Sequence, residues 1–215
     1  MVAGRRGRLP ARARPGWLYA SQSVCRAAGG VRVRYELTID PGGTGGAWLG
    51  EVDRKGRCFT RMAWWWKPCK LNKQPAWKVI TAGGLTEQRY CSDLHAVGSW
   101  IRDSAIEAGG AREGWRLTVE GLFGRGHTLE RLVWAAGLVA GPLLAGAVGA
   151  LERPLAMQWR KQLLDIGPRT PAEVCDEIVA KWAMTAATDV PLAVRNSHVL
   201  DAVALAAWRT LTDNG

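Results

Sequence analysis

A chain of 215 residues with 47% hydrophobic content is long enough for one domain with a full core, and too short for an architecture that needs two large lobes. The net charge of +10 suits a polyanionic partner such as nucleic acid, as well as a plainly solvated basic surface. Five Cys, an odd number without a CxxC pair, argue for reduced thiols in a cytoplasm rather than a disulfide framework.

Residues 1–30 carry six Arg and no acid, so they hold +6 of the +10. They lack periodicity and read as a basic, disordered arm, leaving 31–215 as the folded domain. The amino terminus has no apolar segment of the kind that marks a signal peptide.

The first ordered stretch, Arg34–Trp48, is RYELTIDPGGTGGAW. Tyr35, Leu37 and Ile39 alternate with Glu36 and Thr38, which predicts a strand ending on Asp40. A Pro-Gly-Gly turn and a second apolar run to Val52 complete a hairpin. Asp40 has two readings. It caps the turn, as Asp often does after a strand, or it is a carboxylate at the end of a central strand that needs a cation or donor to offset desolvation.

Arg57–Trp66 reads as a third strand. The segment Lys67–Gly84 is polar, with Lys67, Lys70, Lys73 and Lys78 interleaved with Trp77. Such interleaving suits base stacking, and Trp64–Trp66 equally suit a core or a covered sheet edge. Tyr90–Glu107 has helical spacing with Ser92 as N-cap. Cys91 and His95 match no compact zinc spacing.

Trp115–Glu120 is another strand closed by a carboxylate, followed by a Gly-rich loop containing Arg125. If this strand and the first are parallel neighbours, both acids lie at one sheet edge, where ligands bind in open α/β sheets. Leu132–Leu151 has no charged residue and by length could span a bilayer. Its Gly, Ala and Val content and its symmetric charged flanks favour a buried helix, with a kink or break at Pro142. Arg153–Trp159 reads as a last short strand, and Pro171–Trp182 as an amphipathic helix with Thr170 as N-cap. The final helix, Ser197–Leu211, places His198 and Asp201 on one face at i, i+3. Three carboxylates and an imidazole, if brought together, suit hard divalent cations.

Four stretches in this order resemble the RuvC-type Holliday-junction resolvases of the ribonuclease H-like superfamily. They are LTIDPGGTGGAW at 37–48, LTVEGLFGRG at 117–126, MQWRKQLL at 157–164 and HVLDAVALAAW at 198–208. The resemblance implies an α/β fold with a mixed five-stranded sheet in order 3-2-1-4-5, flanked by helices. It implies an endodeoxyribonuclease that uses Mg²⁺ or Mn²⁺, two ions per site, to nick four-way DNA junctions as a homodimer without a membrane. Asp40, Glu120, His198 and Asp201 would be its metal-binding and catalytic residues. Lys161, with Arg160 beside it and Arg125 in the Gly-rich loop, would contact DNA. The Trp- and Lys-rich stretch 60–84 has no place in that family's pattern. Two other readings stay open: a non-catalytic branched-DNA-binding module of the same fold, and an actin-like ATP-binding protein, suggested by strand-Asp-x-Gly-Gly-Thr.

Overall fold

The computed structural model describes residues 35–83, 87–110, 114–122, 126–147, 151–164, 171–182 and 197–213. The basic arm, Arg125 and Thr170 lie outside these residues.

Alternation of buried side chains on two faces makes the first strands. β1 (Tyr35–Asp40) sends Leu37 and Ile39 to one face, and Glu36, Thr38 and Asp40 to the other. It pairs antiparallel with β2 (Gly45–Val52), which pairs antiparallel with β3 (Cys58–Leu71). β3 runs five residues beyond Trp66 because it continues into a hairpin with β4 (Gln74–Ala82). Asn72 and Lys73 turn that hairpin with φ of 50° and 65°, the left-handed pair that a two-residue turn requires. β5 (Glu87–Cys91) adds to the far edge of β4, and β6 (Trp115–Val119) runs parallel to β1.

The sheet is therefore mixed and six-stranded, in order β5-β4-β3-β2-β1-β6. Helices flank it on both faces. This is the α/β architecture expected of a ribonuclease H-like fold, with two corrections to the expected five-strand order. First, β4 and β5 extend the sheet beyond β3. Second, no fifth strand forms at 153–159. Instead, parallel bridges at Trp115–Ala147, Thr118–Glu152 and Gly121–Leu155 run beside β6, and Ala156 already begins a helix.

One face of the sheet carries α1 (Leu94–Ala105) and α2 (Gly126–Leu143), over Ile39, Leu49, Trp64, Trp66 and Leu117. The N-cap of α1 is Asp93, not Ser92. Asp93 Oδ1 accepts from Ala96 N at 2.7 Å, while the Ser92 hydroxyl donates to Asp93 Oδ2 at 3.0 Å. A β-carbon at Gly98 would lie 2.2 Å from the Val139 carbonyl oxygen, so only Gly allows α1 and α2 to cross this closely. The uncharged run forms α2 and ends in a 3-10 turn one residue after Pro142. It is not buried all round: Val139 and Leu143 face the core, whereas Val133, Trp134 and Leu138 are exposed. Residues Thr128–Gly146 are long and apolar enough to cross a membrane by length and composition, with one third of that window buried against the protein.

The other face carries α3 (Ala156–Leu163), α4 (Pro171–Lys181) and α5 (Ser197–Asp213), over Trp48, Ala63 and Ala82. α5 is buried along most of its length because Ala202, Ala204, Ala206 and Ala207 let it lie close to the sheet. Thr38 Oγ1 donates to the Ala202 carbonyl at 2.5 Å. The buried Arg209 donates to the Leu117 carbonyl at 3.0 Å and Thr118 Oγ1 at 2.8 Å, and pairs with Glu152 at 3.2 Å. These bonds fix the register of α5 against β1 and β6, the two strands that end in acids.

Candidate active site

The parallel register Ile39–Val119 puts the last residues of β1 and β6 side by side. Glu120 N donates to the Ile39 carbonyl at 2.8 Å, so Glu120 follows β6 at the same edge where Asp40 ends β1. The two acids expected at one sheet edge are neighbours there. Both are buried, each residue with 7% of its surface exposed.

α5 supplies the second half of the cluster. His198 Nδ1 is hydrogen-bonded to Asp40 Oδ2, and Asp201, one turn further, is buried beneath the same edge. Gly46 makes this approach possible. It pairs with Asp40 across β1 and β2, and a β-carbon there would lie 2.6 Å from His198 C and Val199 N. The structure thus brings Asp40, Glu120, His198 and Asp201 together from three elements.

The electrostatics follow from the crowding. Burial first, then the charge of Asp40, pushes the Glu120 carboxyl up to about 9. The hydrogen bond between Glu120 and Asp40 acts in the same direction. Asp201 is raised to about 6, chiefly by burial, although Arg160 opposes the shift. The imidazole of His198 is raised above its ordinary value, first by its hydrogen bond to Asp40. Crowding of carboxylates disfavours ionising all of them together, and Arg160 and His198 offset part of that cost.

Two further side chains complete the surroundings. Trp159 is fully buried on α3, and its Nε1 donates to Glu120 Oε1 at 2.9 Å. Its neighbour Arg160 donates to Asp201 Oδ2 at 2.7 Å and lies 5.0 Å from the Trp159 ring centre. Arg160, expected at the DNA, is thus paired inside the cluster, while Lys161 is exposed on α3. Two indoles hold the turn after Asp40. Trp66 Nε1 donates to the Gly42 carbonyl at 3.0 Å, and Trp77 Nε1 donates to that of Gly43 at 3.1 Å. None of these three Trp roles was legible in the sequence, where Trp159 stood only in a basic segment and Trp66 and Trp77 only in an aromatic run.

The donor chemistry fits a hard divalent cation: three carboxylates and an imidazole, converging from three elements, with burial raising the Glu120 and Asp201 carboxyls. Among the described residues, however, no three His, Cys, Asp or Glu side chains stand as a formed metal cage. His198 and Arg160 engage carboxylate oxygens of Asp40 and Asp201, so admitting a cation requires those contacts to open.

No family model matches the chain, and no curated protein matches its sequence. Among solved structures, the chain is similar to one of RuvC from Thermus thermophilus, at 17% identity and a TM-score of 0.46. It is also similar to T. thermophilus RuvC in complex with a Holliday junction substrate, at 19% identity and a TM-score of 0.46. Each match covers 84% of this chain and 95% of the other.

Proposed function

We propose that this protein is a divalent-cation-dependent, structure-selective endodeoxyribonuclease that nicks four-way DNA junctions. One observation carries the reading: two buried acids end neighbouring parallel strands and face a His and an Asp from one helix. That cluster stands at the carboxyl edge of the sheet, where phosphate-bearing ligands bind in α/β proteins.

Asp40, Glu120 and Asp201 would hold the cations, Mg²⁺ or Mn²⁺, with His198 at the rim. Bound there, the cations supply Lewis-acid stabilisation of a phosphodiester and a water of lowered pKa. Trp159 orients Glu120 and favours its ionised form. His198 is half-exposed and is the cluster member best placed to accept a proton from solvent. Arg160 neutralises Asp201, and a cation at Asp201 would leave its guanidinium available to a phosphate. Recognition rests on phosphates and junction shape, so binding weakens as salt rises. A homodimer would nick two strands symmetrically.

The pairing of Arg160 with Asp201, together with the lack of a formed cage among the described residues, favours a second reading, a non-catalytic branched-DNA-binding module. A labelled four-way junction incubated with Mg²⁺ or Mn²⁺ separates the two. Symmetric nicking by the wild type and none by Asp40→Asn supports the nuclease. Binding without cleavage by well-folded protein in either metal supports the module.

A further inference from the structure

The Trp- and Lys-rich segment that the sequence left unplaced lies on the same sheet face as Asp40. Cross-strand pairing runs in one row from Asp40 to Gly46, Trp65, Ile80 and Gln88, crossing β1 to β5 in order. The next row outward is Lys67, Lys78 and Tyr90. Side chains directly opposite across strands share a face, so both rows look the same way as Asp40. Four strand spacings of ~4.8 Å make the track about 19 Å long.

α5 packs over β1, β2 and β3 on this face. Beyond it, Lys67 and Tyr90 are exposed, Tyr90 at 43%, and Lys78 is half-buried. Lys67 Nζ lies 5.4 Å from the Trp65 ring centre. The tyrosine hydroxyl accepts from Gln88 Nε2 at 3.0 Å, which leaves the ring face available. Among the described residues, β3 and β4 carry no acid, and Glu87 of β5 pairs with Thr81 in a row that faces the other way. The direct opposition of Lys67 and Lys78 is the telling feature. Like charges directly opposite in an antiparallel pair destabilise it, and an anion bound between them removes that cost.

We propose that the outer face of β3, β4 and β5 is a platform for a single DNA strand leading away from the Asp40 edge. Lys67 and Lys78 take consecutive phosphates, and Tyr90 stacks a base, the pairing of charge and ring that unpaired strands use. A single strand fits better than a duplex because the contacts are one aromatic face, which an unpaired base can stack on, and two adjacent cations. The link to a scissile strand rests on the nuclease reading, whereas the platform itself does not.

The test is fluorescence anisotropy of labelled oligo-dT with the full chain in EDTA, so that cleavage plays no part. Lys67→Glu creates an opposite-charge pair with Lys78. It should weaken binding about tenfold while raising the melting temperature, a combination that a merely structural lysine would not give. Tyr90→Ala should weaken binding about tenfold. Lys55→Glu, the same charge change in the β2–β3 turn, should alter binding less than twofold. Equal losses in Lys67→Glu and Lys55→Glu, or none in either, overturn the platform. So does an equal loss with a blunt duplex probe. Oligo-dT binding that depends on Lys67 and Tyr90, in a wild type that cuts no junction, sustains the platform and sinks the nuclease reading. Junction cleavage with Lys67-independent oligo-dT binding does the reverse.

Discussion

Gly46→Ala perturbs the cluster without touching any of its ionisable groups. The added methyl would lie 2.6 Å from His198 C and Val199 N and 2.8 Å from the His198 carbonyl oxygen. These are backbone atoms of α5, so no side chain can turn away. Reaching ordinary contact at 3.4 Å requires the start of α5 to retreat by about 0.8 Å. That retreat stretches the His198–Asp40 hydrogen bond and draws Asp201 away from Glu120. Overpacking of this kind costs about 1–3 kcal/mol, a melting-temperature loss of roughly 3–10 °C for a domain of this size. Displacement of a catalytic group by about 1 Å costs on the order of 100-fold in rate. The assay pairs thermal unfolding with single-turnover junction cleavage below the variant's melting range. Gly43→Ala is the control, since a β-carbon there meets nothing within 4 Å. Unchanged stability and cleavage in Gly46→Ala would refute the claim that close approach of α5 assembles the cluster.

Other outcomes follow from the same structure. Trp159→Phe removes the 2.9 Å donor to Glu120 and should raise the Mg²⁺ concentration for half-maximal cleavage about tenfold, read from a metal titration. Glu36 is buried beside Arg116, and desolvation raises its carboxyl to about 7 from 4.5. The folded state thus binds this proton more tightly than the unfolded state. The stabilisation is full below about pH 4.5 and is lost as pH rises through about 7, a change of about 3 kcal/mol. Urea unfolding at pH 5 and pH 8 should show Glu36→Gln losing less stability across that interval than the wild type. An equal loss would contradict the assignment. Gly137→Ala in α2 meets nothing within 4 Å and should stabilise the protein by about 0.5–1 kcal/mol in the same assay, as Ala replaces Gly inside a helix.

Local pattern carried much of this structure. Alternation in 35–40 and 115–119 marks two strands, and an acid at the end of each marks the edge where they meet. The i, i+3 spacing of His198 and Asp201 marks one helix face. Long-range contacts left no such trace. β4 and the edge strand β5 were hidden because lysines, Pro75 and exposed polar residues blur their alternation. Tyr90 and Cys91 sit at helical spacing from Leu94, so the strand they belong to reads as the start of α1. The expected last strand survives only as single bridges because the helix signal from Ala156 competes with it. The indole bonds of Trp66, Trp77 and Trp159 depend on packing that no spacing rule encodes.

The proposed function requires Asp40, Glu120, His198 and Asp201, remote in sequence, to act as one divalent-cation site. Calorimetric titration of the full chain with Mn²⁺ tests it most directly, with circular dichroism confirming the fold of each variant. The wild type should bind, and Asp40→Asn and Glu120→Gln should each lose that binding while remaining folded. Binding that is unchanged in both variants, or absent from the folded wild type, would show that these residues form no cation site.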